Sequence, residues 1–101
     1  MKIELNGKTY ESIKITAGMT RRALELNVAA LDAATKAENL KASTDPAAAL
    51  QLLSALSENM KEKAELICSA FGDAFDSDSL LDQVENAELN GLINKIALGK
   101  D

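Results

Sequence analysis

Residues 46–70, PAAALQLLSALSENMKEKAELICSA, decide the fold because they join a helix start signal to a long apolar periodicity. Pro46 suits the first position of a helix, and Asp45 before it is predicted to be the N-cap residue. The apolar residues recur at helical spacing and are expected to face a core: Leu50, Leu53, Leu56, Met60, Ala64 and Ile67. The opposite side carries a solvated face of mixed charge: Glu58, Lys61, Glu62 and Glu65.

A second long helix is predicted before this one, from about residue 20 to residue 41. Leu24, Val28 and Leu31 recur at i, i+4 and i+7, and alanines at positions 23, 30, 34 and 37 widen this stripe. The sequence Ser43-Thr44-Asp45-Pro46 ends the first helix and starts the next. Two helices of similar length joined by a short capped turn predict an antiparallel helical hairpin.

Residues 2–16 carry the signal of a β-hairpin around Asn6-Gly7. Asn-Gly tolerates the positive φ values of a type I′ turn, and apolar residues alternate on both sides of it. The spacing from Tyr10 to Ile13 breaks the alternation, which predicts a bulge or an early end to strand pairing. Because an isolated hairpin is marginal in water, one face is expected to lie on helices, or an edge to pair with another chain.

Two shorter helices are predicted after residue 70. Gly72 is a natural end for the preceding helix, and Asp76 or Ser77 can cap a helix that runs to about Val84. A last helix over about residues 87–98 presents four apolar side chains before Gly99: Leu89, Leu92, Ile93 and Ile96. The predicted fold is therefore mainly α with a short N-terminal β-hairpin, a helical hairpin and a C-terminal helical pair at 77–98. Its 101 residues fit a single domain, 1–101.

Composition and motifs argue against several classes of function. The formal net charge of −5 argues against nucleic-acid binding, which needs a basic patch. The chain opens on no signal-peptide pattern and contains no apolar run of about 18 residues, so we expect no membrane segment. The one cysteine, Cys68, lies in an apolar helical pattern and is expected to be a buried thiol in a reducing compartment.

Catalytic, metal and cofactor sites are not expected either. The chain has no histidine to serve as the base of a serine or cysteine nucleophile, or as a zinc ligand. The carboxylates Asp73, Asp76, Asp78 and Asp82 do not fit a calcium loop. An EF-hand starting at Asp73 puts Phe75 at the third position, and one starting at Asp76 puts Leu80 at the fifth. We therefore predict that the protein is not an enzyme.

Six residues are candidates for contacts with a partner. Both phenylalanines, Phe71 and Phe75, lie one helical turn apart in the most acidic stretch, followed by Leu80 and Leu81. Phe71 is expected to close the open end of the helical hairpin, and Phe75, after the glycine break, to be an exposed anchor. Arg21 and Arg22 stand near a helix start, where the macrodipole disfavours cations. They are expected either to be solvated or to meet acidic groups, on a partner or within residues 73–88.

The run Phe71-Gly72-Asp73-Ala74-Phe75-Asp76-Ser77-Asp78-Ser79-Leu80-Leu81-Asp82 and the opening Lys2-Ile3-Glu4-Leu5-Asn6-Gly7-Lys8-Thr9-Tyr10 resemble the tail assembly chaperones of long-tailed phages and prophages of Gram-positive bacteria. That family often carries a Phe-Gly-x-x-Phe-Thr-like stretch before an acidic, leucine-paired helix. Asp76 stands here where threonine is common in the family. The resemblance covers about half of the chain.

The resemblance implies a cytoplasmic protein of the bacterial host that coats the tape-measure protein, recruits tail-tube subunits and is absent from the finished tail. It also implies self-association into a homo-oligomer and, often, a longer frameshifted product. Two other classes stay open. A small acidic helical regulator, antitoxin-like or a DNA mimic, would use the face formed by residues 73–88, and an enzyme would need demonstrated turnover.

Overall fold

The computed structural model describes residues 1–40 and 46–99, with all of their side chains except those of residues 37, 39 and 40. These residues form strands β1 (Lys2–Leu5) and β2 (Lys8–Glu11), followed by helices α1 (Ala17–Leu40), α2 (Pro46–Ala70), α3 (Ser77–Gln83) and α4 (Asn86–Ala97). The predicted fold class, mainly α with an N-terminal β-hairpin, is confirmed. The predicted stop at Ser43-Thr44-Asp45, the residue Lys41 and the side chain of Ala37 lie outside the described residues.

The hairpin is antiparallel and turns where the sequence predicts. Asn6 and Gly7 have φ values of 52° and 76°, as a type I′ turn requires, and Leu5 pairs with Lys8 across it. Strand pairing ends at Glu11, so the break in alternation after Tyr10 marks an early end rather than a bulge. The backbone N–H of Ile13 instead donates to the carbonyl of Ala70 at 2.8 Å, which ties the chain to the end of α2.

One face of the hairpin lies on the helices. Ile3 and Leu5 alternate with exposed residues along β1 and are buried in the core. The hairpin thereby gains the partner surface that two strands alone lack.

Helices α1 and α2 run antiparallel. The Arg22 guanidinium lies 3.1 Å from the Glu62 carboxylate, and the Asn59 amide donates to the Leu26 carbonyl at 2.9 Å. As residue numbers rise along α1 they fall along α2, as in a helical hairpin. Helix α1 begins at Ala17, earlier than the predicted start at residue 20. The Thr16 hydroxyl there accepts from the Met19 N–H at 3.2 Å and so satisfies one of the free N–H groups of the first turn.

A tight turn follows α2. Gly72 and Asp73 both have positive φ, and the Asp73 N–H donates back to the Cys68 carbonyl at 2.8 Å. This bond closes the helix in the manner of a C-terminal Schellman motif. After this turn, the Asp76 carboxylate accepts from the Ser79 N–H at 2.7 Å to cap α3.

The hydrophobic core lies where the hairpin, α3 and α4 meet one half of the α1/α2 pair. Helix α4 contributes one whole face, since Leu89, Leu92, Ile93 and Ile96 are all buried. The buried residues of α2 all lie between Asn59 and Ala70. None of residues 46–58 is buried, so the first half of α2 runs beyond the core.

The predicted core face of the long helices is therefore corrected. Leu50 and Leu53 are 66% and 62% exposed, and Leu56 is only half-buried. On α1 the buried positions are Ala23, Leu26 and Ala33, whereas Leu24, Val28 and Leu31 are exposed. The predicted single stripe of leucines and alanines is therefore two separate faces of α1. The alanine-rich face packs inward, because small side chains let helices approach closely.

The uncovered halves of α1 and α2 form an arm. The radius of gyration is 14.9 Å and the long dimension of the chain is 45 Å. A compact domain of 100 residues has a radius of gyration of about 13 Å. The excess is consistent with two helices of 24 and 25 residues packed against a helix of only 12.

The difference in burial between Leu80 and Leu53 predicts a large loss of stability for one alanine variant and a small change for the other. Leu80 is completely buried, so Leu80→Ala should lower the free energy of unfolding by about 2–5 kcal/mol through lost burial and a cavity. The matched variant Leu53→Ala removes an exposed side chain and should change it by about 0.5 kcal/mol or less. Urea unfolding followed by circular dichroism measures both values. Equal losses in the two variants would contradict this core.

Candidate functional site: an uncovered apolar surface on the helical pair

An apolar stripe runs along the side of α1 that faces away from the core. Leu24, Val28 and Leu31 are 51%, 67% and 69% exposed. We call these three residues the outer stripe. Their spacing of four and then three residues places them on one face, opposite the buried Leu26 and Ala33. A surface helix of a monomer needs only one apolar face, so α1 carries one more than its own fold uses.

The outer stripe borders an open groove along α1. It is lined by Ala17, Thr20, Arg21, Leu24, Glu25, Val28, Ala29 and Asp32. Its floor is aliphatic and its edges carry charges of both signs. Such a groove suits the apolar face of a helix better than a small polar metabolite, which would need convergent polar groups in an enclosed pocket.

Of the two predicted partner-binding arginines, Arg21 lines this groove and Arg22 reaches across to α2. Arg21 lies 3.2 Å from Glu25, while Arg22 lies 3.5 Å from Glu25 and 3.1 Å from Glu62. Farther along α1, Lys36 and Asp32 pair at 3.1 Å. All of these pairs are at least partly solvent-exposed, and exposed pairs contribute little free energy, so the charges remain available to a partner.

Helix α2 carries a second uncovered apolar surface. Leu50, Leu53 and Met60 are exposed, and we call these three residues the distal stripe. They continue toward the N-terminus the same helix face that Ala64 and Ile67 bury in the core. This face is covered only where the hairpin, α3 and α4 reach it.

A layer of polar contacts attaches α4 to the long helices. The Asn27 amide donates to the Asn94 side chain at 3.2 Å, and the Thr20 hydroxyl donates to the Ile96 carbonyl at 2.8 Å. From α2, the buried Lys63 ammonium donates to the Asn90 side chain at 3.4 Å. Burial lowers the pKa of Lys63. These directional bonds fix where α4 lies along the pair.

The aromatic residues form one cluster at the end of α2. The ring of Phe75 lies 5.1 Å from that of Tyr10, edge to face, and 5.5 Å from that of Phe71. Phe71 is buried, as the sequence suggests, but Phe75 is half-buried against the core rather than projecting as an anchor. Aromatic pairs of this geometry contribute about 0.5–1.5 kcal/mol beyond their area.

The leucine pair of α3 is divided between core and surface. Leu80 is fully buried, and Leu81 is partly buried against the core. Of the six sequence candidates, Arg21 therefore lies at the apolar groove, Arg22 pairs with Glu62 of α2, Phe71 and Leu80 are buried, and Phe75 and Leu81 are partly buried. Arg21 and Arg22 both pair with Glu25. Phe71 and Phe75 instead contact each other in residues 71–82, which we call the phenylalanine joint.

The acidic residues of the phenylalanine joint interact with neighbouring groups of their own chain. Bonds from Ser79, from its backbone N–H first and then its side chain, lower the pKa of Asp76 and fit its role as the cap of α3. Cys68 is buried beside them. Burial first, and then the negative charges of Asp73, Asp76 and Glu65, raise the pKa of its thiol to about 11.

Within residues 1–40 and 46–99, no group of three or more His, Cys, Asp or Glu side chains is placed to hold a metal ion. Over the same residues, no helix has the length and apolar character needed to cross a bilayer.

Sequence reasoning missed the exposed leucines as functional candidates. Periodicity predicts that a core stripe contains Leu24, Val28 and Leu31 on α1, and that another contains Leu50 and Leu53 on α2. A usable signal exists in α1, because Ala23, Leu26, Ala30 and Ala33 make a second apolar series at helical spacing beside the first. A helix with two apolar series can bury one in its own core and leave the other exposed.

Comparison with known proteins gives a family. A family model described as phage tail chaperone protein matches residues 1–100. Neither the curated proteins nor the solved structures include a significant match.

The raised pKa of Cys68 predicts an inert thiol in the folded chain. A free thiol of pKa about 8.5 is partly thiolate at pH 8, whereas one of pKa about 11 is almost wholly protonated. Alkylation by iodoacetamide at pH 8 should therefore be at least about a hundredfold slower in the native protein than in urea. Mass spectrometry over a time course measures both rates. Similar rates in the two conditions would contradict the burial of this side chain.

Proposed function

The chain belongs to the phage tail chaperone family, and on that premise we propose that it is a tail assembly chaperone that binds the tape-measure protein and recruits tail-tube subunits. Family membership itself implies a role in tail assembly without catalysis. The proposal adds the two clients, a site of action in the bacterial host cytoplasm and absence from the mature virion.

The observation that carries the proposal is the second apolar face of α1. A chaperone of a long helical client must offer apolar surface that its own fold leaves unburied. The outer stripe, Leu24, Val28 and Leu31, offers such a surface at the spacing by which amphipathic helices pack on one another. We assign the helical segments of the tape-measure protein to this stripe.

Charge at the ends of the stripe supports the same assignment. Arg21 and Lys36 border it with positive charge, and Glu25 and Asp32 with negative charge. A helical client with charges of both signs beside its apolar residues can exchange these weak internal pairs for pairs across the interface. Arg21 therefore keeps its proposed role in partner binding at the edge of the stripe, and Arg22 is proposed to contact the partner beside α2.

The phenylalanine joint receives a different role in this proposal. Phe71 and Leu80 are core residues, so their loss would act on binding through stability. Phe75 and Leu81 keep partial exposure, and we propose that they border a second contact, used for tail-tube subunits. The two clients would then bind different surfaces, one on α1 and one beside α3.

Val28→Glu tests the client surface. The substitution places a charge in the middle of the outer stripe at a position already 67% exposed, so the fold should survive. Binding to a helical segment of the tape-measure protein encoded by the same phage should weaken by at least about tenfold, as for a central interface residue. Isothermal titration calorimetry measures the dissociation constant.

The matched control is Ala87→Glu, which adds the same charge at an exposed position in the first turn of α4. It should bind as the parent chain does. Unchanged binding by Val28→Glu, with native circular dichroism, would remove the outer stripe from the proposal. A parent chain with no affinity for any tape-measure segment would remove the proposed client.

Recruitment of tail-tube subunits has its own test. The complex of this chain with the tape-measure segment should retain the tube subunit on an affinity column, and the segment alone should not. Leu81→Glu, at a partly buried position of α3, should reduce retention of the tube subunit while leaving tape-measure binding unchanged. Retention independent of this chain would refute recruitment.

A further inference from the structure

We propose that Asn6 is a site of spontaneous covalent modification, at which the turn of the β-hairpin converts to an aspartyl or isoaspartyl form through a cyclic imide. The reaction needs only water besides the chain itself. This chemistry is independent of client binding, because it takes place at the hairpin turn and not on the long helices.

The first step is an attack by the peptide nitrogen of Gly7 on the side-chain amide carbon of Asn6. The new N–Cγ bond closes a five-membered ring, the Cγ–Nδ2 bond breaks, and ammonia leaves with the proton of the Gly7 N–H. Water then opens the ring at one of its two carbonyl carbons. Opening at Cγ gives an aspartate, and opening at the main-chain carbonyl gives an isoaspartate, in which the chain continues through Cγ. Glycine after the asparagine favours the attack, because it has no side chain to hinder the nitrogen.

The sequence contains two Asn-Gly pairs, Asn6-Gly7 and Asn90-Gly91, and the structure places them in different environments. Asn6 and Gly7 are both exposed at the tip of the hairpin. Within residues 1–40 and 46–99, neither the Asn6 carboxamide nor the Gly7 N–H has a hydrogen-bond partner. The amide carbon and the attacking nitrogen of this pair are therefore both accessible.

The pair Asn90-Gly91 is instead held inside helix α4. The N–H of a residue in the middle of an α-helix donates to the carbonyl four residues earlier, so the Gly91 nitrogen is engaged. The Asn90 side chain accepts from the Lys63 ammonium at 3.4 Å. The neighbouring Leu89 and Leu92 are buried, so this pair reacts only when α4 leaves the core.

The cost of local opening separates the two rates. Ring closure at Asn6 requires rotation of the turn from its φ of 52°, against one bond from the Asn6 N–H to the Gln83 side chain at 2.9 Å. Exposed loop tips open at a free-energy cost near zero, whereas a core helix opens at a cost near that of global unfolding. We therefore expect Asn6 to convert at least about a hundredfold faster than Asn90 in the native chain.

The two products differ in their effect on the hairpin. Aspartate tolerates positive φ, so this product keeps the turn and makes the net charge of −5 one unit more negative. Isoaspartate adds a main-chain carbon to the short loop that sets the pairing of Leu5 with Lys8. The longer loop no longer fits this register, so Ile3 and Leu5 lose part of the burial that holds the hairpin on the helices.

Peptide mapping of the aged protein tests the site. The full-length chain is incubated at mildly alkaline pH, in native buffer and in urea, and both Asn-Gly pairs are followed by reversed-phase chromatography and mass spectrometry. In native buffer Asn6 should convert while Asn90 stays intact. In urea the two pairs should convert at similar rates, because neither is then held by structure.

Asn6→Gly is the matched control, since glycine accepts the positive φ of the turn and has no amide to cyclise. The isoaspartyl fraction of the parent chain, isolated by ion exchange, should melt at least about 4 °C below the unmodified protein. The variant should yield no such fraction. The comparison of native buffer with urea uses the parent chain alone and does not depend on the folding of the variant.

Several results would overturn the proposal. Equal conversion of Asn6 and Asn90 in native buffer would contradict it, and so would an intact Asn6 under conditions in which both pairs convert in urea. An isoaspartyl fraction that melts with the parent chain would refute the effect on the hairpin. The same acidic fraction from Asn6→Gly would assign the modification to another residue.

Discussion

The structure depends on the unequal lengths of the packed helices. Helices α1 and α2 have 24 and 25 residues, whereas α4, the helix that packs on both, has 12. At 1.5 Å per residue a helix of that length covers about 18 Å of a pair that is about 36 Å long. The core is therefore complete at one half, where the buried residues of α2 lie, and the apolar face of the other half continues into solvent. The exposure of Leu50 and Leu53 on α2 follows from that mismatch.

Much of the fold can be predicted because its signals are local. Asn6-Gly7 determines a turn that only positive φ values satisfy, Pro46 marks the start of a helix, and Asp76 accepts the bond that begins α3. Each depends on a residue and its near neighbours. The apolar face of α4 follows from periodicity alone, since one side of the helix is apolar and that side is buried.

The candidate site could not be predicted in the same way, because periodicity reports that a face is apolar and not what covers it. Leu53 and Ile67 belong to one face of α2, and only the reach of α4 and the hairpin separates the exposed from the buried residue. In α1 the larger side chains would be expected inside by hydrophobicity. The pair instead packs through Ala23 and Ala33, since helices approach closely across small residues, and Leu24 is left outside. Phe75 differs from its prediction in the opposite direction. The sequence predicts that Phe75 is exposed, but the ring of Tyr10 on β2 partly covers it.

The placement of the rings gives the protein a built-in spectroscopic asymmetry. The chain contains one tyrosine and no tryptophan, and its three rings meet at the joint between the hairpin and α3, far from the arm. Near-ultraviolet absorption and ellipticity therefore arise from that joint, whereas the aliphatic arm is silent at those wavelengths and contributes to the amide signal. Melting of the arm and melting of the joint can thus be distinguished in the native chain without any label.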